Sequence, residues 1–141
     1  MTIRESPQRK PLPELTELTR PFWTAAREGR LVVQQCAKCG TRDFYPKPWC
    51  IECGHRQLDW VEVSGTGTVY SHTAATTVMM NLPGWKDELP VVLCLIDLDD
   101  GPRMYAQLTD CAPADVRIGM RVRAHFAEIG GDAGIVRFRP A

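Results

Sequence analysis

The stretch CAKCGTRDFYPKPWCIECG, residues 36–54, decides the fold because it contains the spacing Cys-x-x-Cys twice. Each spacing puts two sulfur atoms at one tight turn, and Gly40 and Gly54 follow at points where the backbone must turn back with positive φ. Zinc accepts four thiolates in a tetrahedron, and the short interval between the two pairs is a compact version of zinc-ribbon spacing. We therefore predict one structural zinc ion per chain, bound by Cys36, Cys39, Cys50 and Cys53.

Two other interpretations of the cysteine pairs are a thioredoxin-like redox pair and an iron centre. A shell of four protein sulfurs leaves no position for water or substrate, so we expect the metal to fold this segment rather than act as a Lewis acid. His55 follows Gly54 directly, and we expect it beside the site or at the surface rather than as a ligand.

The segment before the cysteines begins with residues 1–14, which carry three prolines among polar residues and read as an arm. Pro21 suits the first turn of a helix, and Gly29 is a plausible stop. The sequence therefore predicts a helix of about two turns that begins at residue 19 or 20. Phe22 and Trp23 give this helix a large apolar area, which either packs on the chain's own core or forms a surface for a partner.

Most of the chain after the cysteines has the pattern of strands bounded by Gly and Pro. The predicted strands cover residues 58–63, 67–79, 91–98, 104–108, 122–127 and 135–138. Five strands after residue 66, with a short helical turn near residues 113–116, match a closed Greek-key barrel of the OB type, although a sandwich also fits the periodicity. We divide the chain into an arm and helix (1–30), a zinc ribbon (31–63) and an OB-fold domain (64–141).

Length and charge restrict the possible functions. The chain has 141 residues, enough for one compact body with a small appendage. Its 17 basic and 17 acidic side chains cancel, which disfavours a general polyanion binder. No apolar run reaches the roughly 20 residues of a membrane helix, and the first ten residues lack the apolar core of a secretory signal. We expect a soluble, cytoplasmic protein.

A search for a catalytic constellation finds little. His55, His72 and His125 lie in different segments, and no known nucleophile, metalloprotease or phosphate-loop motif is present. We expect His72 and His125 to be ordinary hydrogen-bonded histidines on strands. Cys94 sits among aliphatic residues and Cys111 in a loop, neither beside an obvious base. The chain is therefore not expected to be a catalyst on its own.

Two further features suggest a ligand. Arg121 and Arg123 share one strand face, as do Arg137 and Arg139, so neighbouring strands would make a four-guanidinium phosphate patch. The alternative is a solvated face paired with acidic residues. The aromatic, proline-rich loop at residues 44–49 either caps the zinc site or forms one wall of a groove for a flat or long thin ligand.

Several stretches, in this order, resemble the DUF35 family. They are RPFWTAAREGRL at 20–31, QCAKCGTRDFYPKPWCIECG at 35–54, WVEVSGTGTVYS at 60–71, VVLCLIDLDDGPRM at 91–104, DVRIGMRV at 115–122 and VRFRPA at 136–141. The resemblance covers residues 20–141. It implies a mainly β chain with a short N-terminal helix, a rubredoxin-like zinc ribbon and a C-terminal five-stranded OB-fold barrel.

The resemblance also implies an accessory subunit in a hetero-oligomer with a thiolase-fold enzyme: a thiolase, a lipid-transfer-protein-like aldolase or a ketosynthase-like acyltransferase. Some family members pair with a MaoC-type hydratase. The partner supplies the chemistry, and this chain helps accommodate coenzyme A or its acyl group. Our candidate acyl-CoA contacts are Phe44, Tyr45, Lys47, Arg121 and Arg123. Our candidate interface residues are Phe22 and Trp23.

Three functions compete at this point. The first is a non-catalytic subunit for carbon–carbon bond cleavage or formation on an acyl-CoA, such as retro-aldol removal of a steroid-type side chain. The second is a single-strand nucleic-acid binder, for which the strands offer Tyr70, Tyr105, Phe126 and Phe138 but no net positive charge. The third is an independent enzyme with a hidden active site.

Overall fold

The structure, a computed structural model, describes residues 10–77 and 84–141. The described part contains one α-helix, eight strands and two single 3₁₀ turns, so the predicted mainly β fold with a short N-terminal helix is confirmed. The regular elements are α1 (Arg20–Arg27), β1 (Leu31–Cys36), β2 (Arg42–Asp43), β3 (Leu58–Val63), β4 (Thr66–Ala75), β5 (Val91–Leu98), β6 (Arg103–Leu108), β7 (Arg121–Gly130) and β8 (Ala133–Pro140). The 3₁₀ turns are Lys86–Glu88 and Pro113–Asp115.

The strands form two sheets. β1 lies between β2 and β3 in a small antiparallel sheet, and β4, β5, β6, β8 and β7 close into a five-stranded barrel in that order. Closure pairs β4 with β7 and β6 in parallel with β8, which excludes the sandwich. The 3₁₀ turn at Pro113–Asp115 lies between the third and fourth barrel strands, as predicted.

Some strand ends differ from the prediction. β7 and β8 run on toward their shared turn at residues 131 and 132, because the hairpin pairing continues to Gly130 and Ala133. The strand predicted for residues 67–79 ends at Ala75, and the prediction for residues 78 and 79 lies outside the described residues. The two-residue strand β2 was missed, since two polar residues carry no periodicity.

The helix and both sheets share one hydrophobic core. Phe138, Ile96 and Val122 are completely buried inside the barrel, and Leu31 and Val33 of the small sheet belong to the same cluster. The zinc-binding segment is therefore attached to the barrel by packing as well as by the chain. None of the helices in the described ranges is both long and apolar enough to cross a bilayer.

The helix α1 lies directly on the backbone of β8. Ala26 is completely buried, and a Cβ atom built at Gly134 would lie 2.3 Å from the backbone nitrogen of Arg27. Real Cβ atoms do not approach backbone atoms so closely, so only glycine allows this contact. The helix could not sit at this distance from the barrel with any other residue at position 134.

We predict that Gly134→Ala lowers the free energy of unfolding by about 3 kcal/mol, because helix and strand must move apart. The control is Gly119→Ala, where φ is +88° and no atom lies within 4 Å of the added carbon, so only the backbone cost of about 1 kcal/mol applies. Denaturant unfolding of both variants measures the difference. A smaller loss for Gly134→Ala than for Gly119→Ala would contradict the close packing.

Candidate metal centre and binding surfaces

The four predicted zinc ligands converge at one point. The sulfur atoms of Cys36, Cys39, Cys50 and Cys53 all lie within 4.8 Å of one another. Two of the sulfur–sulfur distances are 3.6 and 3.5 Å, from Cys36 to Cys53 and from Cys39 to Cys50. A regular tetrahedron with zinc–sulfur bonds of about 2.3 Å has edges of about 3.8 Å. The sulfur set therefore fits a zinc ion, and none of the six cysteines forms a disulfide.

The two cysteine turns have the same construction. Gly40 donates its N–H to the carbonyl of Cys36 at 3.0 Å, and Gly54 does the same to Cys50 at 2.9 Å; both glycines have φ of +75°. Cys36 and Cys50 are buried, at 2% and 5% exposure, whereas Cys39 and Cys53 are exposed. Each turn thus contributes one inner and one outer sulfur.

Thr41 favours the thiolate form of one outer ligand, Cys39. The Thr41 hydroxyl oxygen lies 3.1 Å from the Cys39 sulfur, and the side chain and backbone of Thr41 lower the pKa of Cys39 to about 6. A lower pKa favours the thiolate, which is the form that binds zinc. His55 stands outside the sulfur cluster, and its backbone carbonyl accepts the Cys50 N–H at 2.8 Å.

The aromatic loop between the cysteine pairs packs against the helix. Phe44 has ring-centroid distances of 5.3 Å to Phe22 and 5.4 Å to Tyr45, and Phe22 lies 5.1 Å from Trp23. Phe22 is only 4% exposed and belongs to the core, which favours core packing over a partner surface for this residue. Trp23 is half-buried at the edge of the same core.

A buried glutamine fixes the loop in place. Gln34 on β1 is 4% exposed, and its amide nitrogen donates to the carbonyl of Lys47 at 3.1 Å while its amide oxygen accepts the Lys47 N–H at 2.7 Å. Both ends of the buried amide are thus satisfied by the loop backbone. The ammonium group of Lys47 lies 2.8 Å from Asp43, so its charge is balanced within the loop.

Three large apolar side chains of this segment nevertheless point to solvent. Tyr45, Trp49 and Ile51, which we call the ribbon ridge, are 41%, 50% and 55% exposed. The hydrogen bonds of Gln34 hold the backbone of Lys47, between Tyr45 and Trp49, while nothing among the described residues covers the three side chains fully. These three exposed apolar residues belong to the zinc ribbon and not to the helix.

Arg121 differs from the other three arginines of the predicted patch. Arg121 makes two hydrogen bonds with Asp99, at 2.7 and 2.6 Å, and a third with Thr68, so its charge is balanced as in the solvated-face alternative. Asp99 in turn has its pKa held well below the usual range by the side chains of Arg121 and Thr66. Arg121 is therefore committed to a carboxylate of its own chain.

The other three arginines lie together. β7 and β8 are neighbours, and their register sets Arg123 opposite Arg139 and His125 opposite Arg137. His125 is hydrogen-bonded as expected, with its Nε2 atom 2.7 Å from the Thr109 hydroxyl oxygen. The structure thus brings three of the four predicted arginines into one patch and adds a histidine that the sequence did not assign to it.

The remaining candidates have structural roles. Cys94 is 1% exposed, and burial raises its pKa to about 11, so it is an inert core thiol as expected. Phe138 is completely buried and Phe126 packs on the core, which removes both from base stacking. Of the barrel-strand aromatics proposed for nucleic acid, Tyr70 and Tyr105 stay exposed, and the guanidinium of Arg103 lies 3.3 Å from the centre of the Tyr70 ring.

Two family models match the chain. The ChsH2 rubredoxin-like zinc ribbon domain matches residues 23–59, and the ChsH2 C-terminal OB-fold domain matches residues 60–127. A DUF35 domain-containing scaffold protein of Methanocaldococcus jannaschii is 32% identical over 111 residues, which is 77% of each chain. The chain belongs to the DUF35 family. The predicted zinc ribbon and OB barrel are thereby confirmed, and with them the structural zinc of this DUF35 chain.

Two further relatives carry functional names. A probable enoyl-CoA hydratase alpha subunit of Thermomonospora curvata is 36% identical over 132 residues, which is 94% of this chain and 40% of the relative. The DUF35 chain therefore spans less than half the length of that relative. A solved structure named Ltp2-ChsH2(DUF35) aldolase has a TM-score of 0.78 at 34% identity and covers 92% of this chain and 98% of the other.

We predict that Cys36→Ala abolishes stable zinc binding and leaves the ribbon unfolded, because the metal contributes folding free energy on the order of 10 kcal/mol. The measurement is zinc content per chain together with soluble yield. Cys111→Ala is the control, since Cys111 lies outside the sulfur cluster, and it should retain one zinc ion. A folded, metal-free Cys36→Ala protein would contradict the structural role.

Proposed function

We propose that this DUF35 chain is a non-catalytic accessory subunit that binds a thiolase-fold enzyme and helps it accommodate an acyl-CoA thioester. The proposal depends mainly on the ribbon ridge, a rigid exposed apolar surface on a module whose metal shell is closed. Four sulfur ligands leave the zinc no position for a substrate. A module built in this way can support chemistry but has no open metal site with which to perform it.

The names of the relatives support the same proposal. One is a subunit of a probable enoyl-CoA hydratase, and the similar solved structure is named as an aldolase with two components. We propose carbon–carbon bond cleavage or formation as the partner's reaction. The preferred candidate is retro-aldol cleavage of a steroid-type side-chain CoA thioester, and the alternative is thiolase or acyltransferase chemistry. The partner carries out the reaction, and this chain contributes a binding surface and helps position the acyl-CoA thioester.

The interface that we propose consists of the ribbon ridge and the exposed edge of Trp23. Exposed aromatic side chains on a rigid support make good interface anchors, because little conformational entropy is lost when they are covered. Phe44 lies behind Tyr45 in the ring stack and supports it rather than facing outward. Of the proposed acyl-CoA contacts on this loop, Tyr45 is the most exposed and Lys47 is tied to Asp43.

We predict that Trp49→Asp reduces recovery of the partner at least about tenfold, because a charge replaces an aromatic anchor at the interface. The tagged protein is purified from its native host at low salt, and co-eluting proteins are quantified by mass spectrometry. Ile118→Asp is the matched control, since Ile118 is 72% exposed but lies on the barrel. Zinc content and melting temperature should stay unchanged in both variants.

A near-stoichiometric thiolase-fold protein that disappears with Trp49→Asp and persists with Ile118→Asp is the expected result. Recovery of the wild-type chain alone would contradict the accessory role. Trp23→Asp serves as a further comparison. Because Trp23 also packs on the core, it should lower the melting temperature as well as weaken the partner.

A further inference from the structure

The outer surface of the β7–β8 hairpin concentrates positive charge. Side chains alternate along a strand, and Val122, Val136 and Phe138 are buried inside the barrel, so their neighbours in sequence point outward. The outward residues include Arg123, Arg137 and Arg139, and His125 lies two positions after Arg123 on the same face; we call these four residues the basic face. Opposite residues on antiparallel strands have Cβ atoms about 5 Å apart, and diagonal neighbours about 7–8 Å. The register therefore makes these four residues neighbours on one side of the strand pair.

Among the described residues, no ion pair balances the charge of the arginines on the basic face. Within residues 10–77 and 84–141, no carboxylate lies within 4.0 Å of the guanidinium groups of Arg123, Arg137 or Arg139. By contrast, Arg103 on β6 and Arg121 at the start of β7 each form an ion pair with an aspartate. Like charges placed directly opposite each other destabilise a sheet, as the Arg123–Arg139 pair must do.

Two of these arginines also carry donors that lack an acceptor. The Nε atoms of Arg137 and Arg139 are buried and have no hydrogen-bond partner among the described residues. A buried donor without an acceptor costs about 1–3 kcal/mol, more for a charged group. An anion on the outer surface of β8 could accept hydrogen bonds from both guanidinium groups, and phosphate has the geometry for such forked contacts.

The pKa of His125 depends on the charges of the basic face. Its pKa is lowered by burial and by the neighbouring charges of Arg139 and Arg137, against an opposing effect of Asp110. The Thr109 hydroxyl lies at hydrogen-bond distance from its Nε2 atom and fixes the ring. A bound anion would reverse the effect of the two arginines on this imidazole.

An apolar cavity adjoins the basic face. Arg137 also lines a cavity of about 470 Å³, together with the apolar side chains of Ile129, Ile135, Trp85 and Leu12 and the ion pair of Lys10 and Glu88. Ile135 lies two residues before Arg137 on β8 and so points to the same side of the sheet. A ligand whose phosphate sits at the arginines can thus place an apolar or flat portion in this cavity.

We propose that the basic face binds a phosphate group of a small molecule, with the rest of the molecule directed toward the adjoining cavity. Free phosphate and a phosphate monoester on a nucleotide share the chemistry that the arginines recognise. Identification of the nucleotide as the phosphorylated end of an acyl-CoA rests on the proposed function. The phosphate site itself does not rest on the proposed function, because it depends only on the residues of β7, β8 and their neighbours.

The experiment is calorimetric titration of the zinc-loaded chain at low ionic strength, in a buffer without phosphate or sulfate. The probes are inorganic phosphate, adenosine 3′,5′-bisphosphate and an oligothymidylate. We expect the bisphosphate to bind, and Arg137→Gln and Arg139→Gln each to weaken it about tenfold or more. Arg117→Gln removes the same charge from an exposed arginine in the connection between β6 and β7. The hydrogen bonds of Arg117 within the described residues go to backbone carbonyls, and this variant should bind like wild type.

Two readouts distinguish a ligand site from a structural role. Arg139→Gln should keep or raise the melting temperature without ligand, because it relieves repulsion across the strand pair. The pKa of His125, followed by NMR of its imidazole protons, should rise when phosphate is added. A melting temperature that falls clearly in Arg139→Gln, with unaltered ligand binding, would mean that the arginines serve the fold and would overturn the proposal.

The other outcomes are also decisive. Equal binding of inorganic phosphate and the bisphosphate supports the site and assigns free phosphate as its ligand. No binding of either at millimolar concentration, or equal weakening by Arg117→Gln, refutes it. Tighter binding of the oligothymidylate, with an affinity that increases with its length, would overturn the small-molecule phosphate site and show that the basic face binds nucleic acid. Failure to recover a partner from the host would affect the proposed function and leave these results standing.

Discussion

The convergence of four cysteine sulfurs on one point is the constraint on which the rest of the structure depends. The segment from Cys36 to Cys53 is too short to bury a core of its own, so its fold must come from the metal. Cys36 is also the last residue of β1, whose inner side chains Leu31 and Val33 enter the core shared with the barrel. The zinc therefore stabilises the ribbon locally, and β1 joins the ribbon to the core that it shares with the barrel.

The cysteine turns could be predicted because every requirement for them is local. Two spacings and two following glycines specify the site, and the structure shows both glycines at φ of +75°. The pairing of Arg121 could not be predicted in the same way, because Asp99 lies 22 positions away and meets it only when the barrel closes. The same limit applies to Phe22 and Trp23, adjacent residues on one short helix. Only the tertiary packing decides that the first is buried and the second half-exposed.

The zero net charge of the chain conceals an uneven distribution. The acidic residues after β5 and along it satisfy the arginines nearest to them, with Asp97 holding Arg103 and Asp99 holding Arg121. The last hairpin receives no such carboxylate among the described residues, so its three arginines remain an uncompensated group within a neutral molecule. Net charge disfavours a general polyanion binder, but it carries no information about a local anion site.

The two candidate surfaces have a physical property in common: both are side chains presented by backbone that is held rigidly from behind. Buried Gln34 fixes the backbone of the ribbon loop, and the closed barrel fixes β7 and β8. Rigid presentation reduces the entropy lost on binding, which suits a subunit that supplies surface rather than reactive groups. The closed zinc shell is consistent with this division, because a metal that completes its coordination with protein sulfur can support a binding surface but cannot activate a substrate.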